Sequence, residues 1–285
     1  MNLEQQLLCW CRDQGQAGYR PVIGLNGPVG AGKSTLSRQV QACFANAGLR
    51  LAVASIDDAY LPWQARLQAM AGNPYGVNRV PPGSHDPDSL VACIREWRSA
   101  NGALLQLPRF DKTLRQGDGD RVKDWSGEAD ALLLEGWLLG CRPVTGLQLE
   151  AATGLTELQG LSDAELLWML RCNQALESYQ ALWAELDWFV MLWPLSWTLP
   201  RRWRLQAEAK QRKNGGGWLP ARELERIVKA TLQSLPPKLY LQPLLAHANW
   251  VRLLDGRRRS VWEGSGAAAL ARLDQPCSDS SSATG

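Results

Sequence analysis

Residues 27–34 read Gly-Pro-Val-Gly-Ala-Gly-Lys-Ser, which fits the spacing G-x-x-x-x-G-K-[ST]. That spacing builds a phosphate cradle. Across Gly27, Pro28, Val29, Gly30, Ala31 and Gly32, the glycines let successive backbone N–H groups turn inward around an anion. A helix opening at the loop's end adds a positive dipole terminus. Lys33 would reach the β and γ phosphates of a nucleotide, the Ser34 hydroxyl would ligate Mg²⁺, and Thr35 closes the loop onto its helix. A glycine-rich turn that binds nothing would account for the glycines but not for the Lys-Ser pair after the last one.

Two carboxylates end apolar runs and complete this chemistry. Asp57 lies in Ser55-Ile-Asp-Asp-Ala-Tyr60. There it can accept a proton from a hydroxyl attacking the γ-phosphate, or hold Mg²⁺ through water. Its neighbour Asp58 either lines the same crevice or caps the following helix. Glu135 ends Ala131-Leu-Leu-Leu-Glu135, the place of a Walker-B carboxylate. Aspartate is commoner there, but glutamate, one methylene longer, still reaches a metal. The competing reading is a strand end meeting solvent.

Two loops gather groups suited to a small anionic acceptor. Arg79, His85 and Asp86 fall in one, and Arg109, Asp111 and Lys112 in the other; Asp58 and Tyr60 border them. Arginine grips carboxylates in bidentate fashion. Arg201, Arg202, Arg204, Lys210, Arg212 and Lys213 form a basic run just before a triple glycine at 215–217. A solvated helix is the commonest form of such a run. A lid is the alternative, with Arg202 or Arg204 neutralising charge on the transferred phosphoryl. No N-K-x-D guanine motif occurs, so ATP is expected over GTP.

The elements that must position these groups alternate. A helix is expected within 1–18, a strand at 21–25, a helix over 35–48 and a strand over 49–56. Residues 59–88 read as a long loop. A helix capped by Ser89 runs to about 100, a short strand spans 104–107, and a charged loop spans 108–127. Next come a buried strand at 131–136, a connection at 141–160 with no legible pattern, and a helix over 162–186 with Ser162 as cap. A strand at 188–193, helices over 199–212 and 220–235, and a last strand at 249–254 follow. This order implies an α/β fold: a three-layer α/β/α P-loop NTPase sandwich with a parallel central sheet and a basic helical lid. A kinase-like domain over 19–256 would carry an N-terminal helix (1–18) and a C-terminal extension (257–285) with a disordered Ser-rich tail.

Bulk properties narrow the function. The chain has 285 residues, 45% of them hydrophobic and 21% charged, ordinary values for a globular protein. A formal net charge of +3 gives no case for nucleic-acid binding. No apolar run is long enough to span a membrane, and the N-terminus lacks the features of a signal or transit peptide, so a cytoplasmic location is expected. Seven scattered cysteines read as reduced thiols, and only two histidines argue against a zinc site. Fourteen tryptophans are many for this length, and nothing in the sequence explains them. Nothing sets an oligomeric state.

The phosphate loop, Ser55–Tyr60, Pro82-Gly-Ser-His-Asp86, Pro108-Arg-Phe-Asp-Lys112, Leu134-Glu-Gly-Trp-Leu-Leu-Gly140 and Trp203-Arg-Leu-Gln-Ala-Glu208 occur in that order. Together they resemble the D-glycerate 3-kinase family of plants, fungi and cyanobacteria. That family lies within the phosphoribulokinase and uridine kinase group of P-loop kinases. The resemblance implies phosphorylation of D-glycerate by ATP to 3-phosphoglycerate, a photorespiratory step in phototrophs. It makes Asp57 the general base, and Lys33 with Arg202 or Arg204 the stabilisers of the transferred phosphoryl. Ser34 and Glu135 would hold Mg²⁺. The chain departs from the family at Arg79-Val-Pro-Pro82, where a Gly- or Asn-rich turn is expected. Two alternatives stay open: a sister kinase for a nucleoside, pantothenate or a sugar phosphate, and a nucleotide-gated assembly switch without an acceptor.

Overall fold

The computed structural model describes residues 2–99, 102–151, 154–213 and 219–273. The apolar runs form β1 (Val22–Asn26), β2 (Leu51–Ser55), β5 (Ala131–Gly136), β6 (Trp188–Pro194), β7 (Trp250–Leu254) and β8 (Ser260–Gly264). These make one six-stranded sheet in the order β2-β5-β1-β6-β7-β8. The first five strands run parallel and β8 lies antiparallel on β7. β3 (Leu105–Asp111) and β4 (Asp120–Gly127) form a separate antiparallel hairpin.

Helices cover both faces of the sheet, which is why its inner strands read as continuous apolar runs rather than alternating ones. They are α1 (Leu3–Gln16), α2 (Lys33–Asn46), α3 (Trp63–Ala69), α4 (Pro87–Ser99), α5 (Gly146–Ala151), α6 (Asp163–Ala175), α7 (Gln180–Trp183), α8 (Leu199–Lys213), α9 (Ala221–Ser234), α10 (Pro237–Tyr240) and α11 (Gly266–Leu273). Alternate residues of one strand serve opposite cores. Val22, Leu132, Leu134 and Met191 pack on one face with Ile94 of α4, Cys172 of α6 and Tyr240 of α10. Ile23, Leu25, Leu133 and Val190 pack on the other with Leu7 of α1, Val40 and Phe44 of α2 and Trp203 of α8. Each fully buried aliphatic side chain contributes roughly 1.5–3 kcal/mol, so the two cores hold the strand ends in fixed register.

The architecture is the expected three-layer α/β fold, with four differences. The sheet is not wholly parallel, because β8 follows the strand expected to be last. Residues 257–273, expected as an extension, supply that strand and α11, whose Ala269 is buried in the larger core. The charged stretch 108–127 is mostly the β3–β4 hairpin. Pro108, which has no N–H to give a ladder, sits where the register slips between Leu107 and Arg109, and this bulge hides the alternation. Finally, α3 interrupts the loop expected over 59–88, and α4 starts at Pro87, ahead of Ser89. Asp86 caps it, its Oδ1 accepting the Ser89 N–H at 3.1 Å. Ser162 does cap α6, in a reciprocal box with Glu165. The triple glycine at 215–217 and the Ser-rich tail lie outside the described residues.

Candidate active site

The phosphate loop leaves β1 and enters α2 at the carboxyl edge of the sheet. Gly30 and Gly32 have φ of 76° and 98°, the left-handed region. Gly30 meets a second demand. A Cβ there would lie 2.8 Å from the Trp203 carbonyl carbon and the Arg204 nitrogen, so only glycine lets α8 sit directly on the loop. Lys33 Nζ folds onto the carbonyls of Gly27 (2.8 Å) and Pro28 (3.2 Å). Burial pushes its amine below the ordinary lysine range, opposed by the charges of Glu135 and Asp57. A phosphate arriving in the loop would offer that ammonium a stronger partner than two neutral carbonyls.

Register brings the two carboxylates to this edge. Glu135 of β5 pairs with Leu25 of β1 on one side and with Ser55 of β2 on the other. Its Oε1 accepts the Ser34 hydroxyl at 2.9 Å. Its Oε2 is buried without a hydrogen-bond partner among the described residues. A buried carboxylate oxygen without a donor is costly, and a divalent cation relieves the cost. One carboxylate and one hydroxyl are hard oxygen donors, few enough to leave positions for water and phosphate, as Mg²⁺ prefers. The residues fit the ion.

Asp57 lies two residues beyond β2, in a single 3₁₀ turn (Ile56–Ala59). Its Oδ1 accepts the Tyr60 hydroxyl at 2.8 Å, and its Oδ2 accepts Lys112 Nζ at 2.7 Å. Burial alone would raise this carboxyl. The adjacent Lys112 ammonium, then His85, overturn that and hold it well below the ordinary carboxylate range. His85 is buried, its ring stacked on Tyr60 at 4.5 Å between centroids, its Nε2 3.8 Å from Asp57 Oδ1. Its Nδ1 lies 2.9 Å from the Tyr179 oxygen, which already accepts the Gly83 N–H. Tyr179 therefore gives its proton to Nδ1, leaving the histidine proton on Nε2, toward Asp57.

The remaining candidates divide. Tyr60, His85 and Lys112 meet around Asp57. Asp58 instead completes a capping box, accepting the Ser55 N–H at 3.0 Å, and takes Arg109 at 3.0 Å, so both are engaged in shaping the 3₁₀ turn. Asp111 turns back on Thr113, and Asp86 is spent on the α4 cap. Arg79 donates to the carbonyls of Gly117 (2.7 Å) and Asp118 (2.8 Å), on the wall of a cleft of about 240 Å³ that Glu223 and Arg226 of α9 close from the other side. In the basic helix, Arg204 pairs with Glu208 at 3.0 Å. Arg202 is exposed, with no hydrogen-bond or ion-pair partner among the described residues.

Three residues of consequence escape the sequence reading. Arg66 is fully buried with no carboxylate ion-pair partner among the described residues, its guanidinium capping the carbonyls of Leu61, Asp118 and Gly119 and lying 4.7 Å from the Phe110 ring. Tyr179 sets the histidine tautomer. Arg258, in the β7–β8 turn, donates to the Gly30 carbonyl and to the Trp203 carbonyl, each at 2.7 Å, and so ties the phosphate loop to α8. None belongs to a local motif. Arg66 and Tyr179 stand alone and Arg258 is the middle of three consecutive arginines, so the sequence singles out none of them and folding supplies the neighbours.

A phosphate loop on a parallel sheet, a metal-ready Ser–Glu pair and an ionised carboxylate at the next strand end define the fold of a P-loop kinase. The comparisons agree on the particular kind. The chain is 28% identical over 258 residues to the chloroplastic D-glycerate 3-kinase of Arabidopsis thaliana, covering 83% of this chain and 53% of that one. It thus spans about half the length of that relative. It is 27% identical over 213 residues to an uncharacterized kinase, mug58, of Schizosaccharomyces pombe, covering 71% and 76% of the two chains. The solved structure of D-glycerate 3-kinase from Cryptococcus neoformans superposes with a TM-score of 0.78 at 26% identity, over 93% of this chain and 99% of that one. No family profile matches the chain. The resemblance to D-glycerate 3-kinases read from the motifs is met in both sequence and structure.

Proposed function

We propose that this protein transfers the γ-phosphoryl group of ATP to a hydroxyl of D-glycerate, giving 3-phosphoglycerate and ADP. The observation that carries the reading is the ionised Asp57 beside the phosphate loop, with the cation of Lys112 on it. The likeness to D-glycerate 3-kinases supports the choice of acceptor. In this mechanism the loop N–H groups and Lys33 cradle the phosphates. Ser34 and Glu135 would hold Mg²⁺, which would supply charge neutralisation on the phosphate oxygens. Asp57 takes the acceptor's hydroxyl proton. Positioning and charge neutralisation do most of the work in phosphoryl transfer, and the site is built for both. Arg202, exposed and without a partner among the described residues, is a cation that α8 offers to the transferring group.

The acceptor is a small molecule, the photorespiratory context rests on the likeness to the chloroplastic plant enzyme, and the six described cysteines, all free thiols, suit a reducing compartment such as the cytoplasm. The test is coupled-assay ADP release from ATP–Mg²⁺ with D-glycerate, beside uridine, pantothenate and ribulose 5-phosphate. Release with D-glycerate alone is expected. Release with another acceptor keeps the mechanism and discards the acceptor. Release with none, despite ATP binding, discards both.

A further inference from the structure

Both oxygens of Asp57 are engaged, but by partners of different kinds. Tyr60, which holds Oδ1, is fully buried and packed between His85 and Phe110. Lys112, which holds Oδ2, sits just past the end of β3 with its side chain 54% exposed. The other cations around the site are tied to internal partners. Arg109 holds Asp58, Arg79 and Arg66 hold backbone carbonyls, Arg121 holds the Tyr60 carbonyl, and Lys33 is folded into its loop. Among these described cations, Lys112 alone is half-exposed and held at a single carboxylate oxygen, so it is the one that can swing away when an acceptor hydroxyl takes its place on Asp57.

A carboxylate paired with an ammonium is a poor base, because the pairing favours the ionised form and penalises taking up a proton. The groups that set this balance from the surrounding elements are Lys112, His85, Tyr60 and, across the phosphate loop, Lys33 with Glu135. Resting on the kinase reading above, we propose that Lys112 is a specificity-determining residue: the acceptor's own carboxylate draws Lys112 Nζ off Asp57, so that an anionic acceptor frees the base that its hydroxyl needs. The freed Asp57 takes the proton of the acceptor hydroxyl. That oxygen bonds to the γ-phosphorus, and the bond from γ-phosphorus to the bridging oxygen breaks to release ADP. The proton then leaves Asp57 to water. A neutral polyol binds without moving Lys112 and meets a blocked base.

The experiment compares D-glycerate with glycerol, its neutral analogue, in the wild type, Lys112→Met and Lys112→Arg at saturating ATP–Mg²⁺. The wild type is expected to prefer D-glycerate strongly. Lys112→Met should lose about 30-fold or more in kcat/KM for D-glycerate, the size of a lost charge-assisted contact, while its turnover of glycerol rises. Lys112→Arg should restore the preference. Lys112 is exposed, and matching thermal denaturation of the three proteins verifies that each is folded. An unchanged acceptor ratio in Lys112→Met, or an equal fall for both acceptors, overturns the inference while the kinase reading stands. A wild type inert toward D-glycerate overturns the choice of acceptor and this inference with it.

Discussion

Asp57 is held ionised by a surface lysine and steadied by a buried tyrosine, so its charge and its direction are set by different neighbours. Asp57→Asn keeps the Tyr60 contact and removes the base. Turnover should fall about 10²-fold or more with ATP affinity retained, measured by steady-state rates beside nucleotide titration. A near-normal rate would remove Asp57 from the chemistry. His85 carries a second consequence. Burial lowers its pKa below the ordinary histidine value of about 6.5. The unfolded chain therefore binds this proton more readily than the folded one. His85 contributes stability above about pH 6.5 that is lost as pH falls through its lower folded value. Thermal denaturation across pH 5–7 should show the midpoint dropping with acid, and His85→Gln should flatten that drop; equal slopes in both proteins would refute it. At this scale the sequence was legible where chemistry is contiguous. The phosphate loop, Asp57 and Glu135 each announce themselves by a strand end or a fixed spacing. It left roles open where a charge serves the backbone: Asp58 caps, as one of its two readings allowed, Asp86 caps, Arg109 braces Asp58, and Asp111 closes its own turn, and the local sequence does not separate such a group from a ligand. Val80 shows the opposite case. It sits at φ 96°, the conformation for which a glycine or asparagine was expected in that segment.

The phosphate loop is shaped by three elements. β1 leads into it, α8 rests on Gly30, and the β7–β8 turn reaches it through Arg258. Arg258→Ala should cost about 1–3 kcal/mol of stability, as two charge-assisted hydrogen bonds are lost, and should raise the Kd for ATP. Arg258→Lys should recover little, because one ammonium cannot reproduce the two-pronged fork. Calorimetry of nucleotide binding tests this, and unchanged ATP affinity in Arg258→Ala would show the brace to be idle. The β3–β4 hairpin belongs to this scale as well. It carries Arg109 and leads into Lys112, and its turn offers the carbonyls that Arg66 and Arg79 bind. Its concealment by Pro108 and by exposed charge explains why its site residues could be named from sequence while the element presenting them could not. The strands buried on both faces were legible because nothing polar interrupts them.

In the whole molecule, the sheet runs from the carboxylate-bearing edge (β2, β5) through the phosphate-binding strand to an antiparallel margin. Cutting the chain after residue 256, at the boundary that alternating composition suggests, would remove β8, α11 and Arg258 together. It would leave β7 as a bare edge and strip Arg252 of its 2.8 Å partner Glu263. Such a truncation should be insoluble or melt far below the full chain; a soluble product with an unchanged melting temperature would mark 257–273 as dispensable. The sequence shows no strand after 254 because β8 is short and half-exposed, too weak a pattern to read as one. The Arg258 brace also bears on biosynthesis. Gly30 and Arg258 are 228 residues apart in sequence, yet one hydrogen bond joins them. Until the segment that carries Arg258 has been made and folded, the cradle is unbraced. Tight grip on nucleotide therefore waits for the β7–β8 strand pair to close on the sheet.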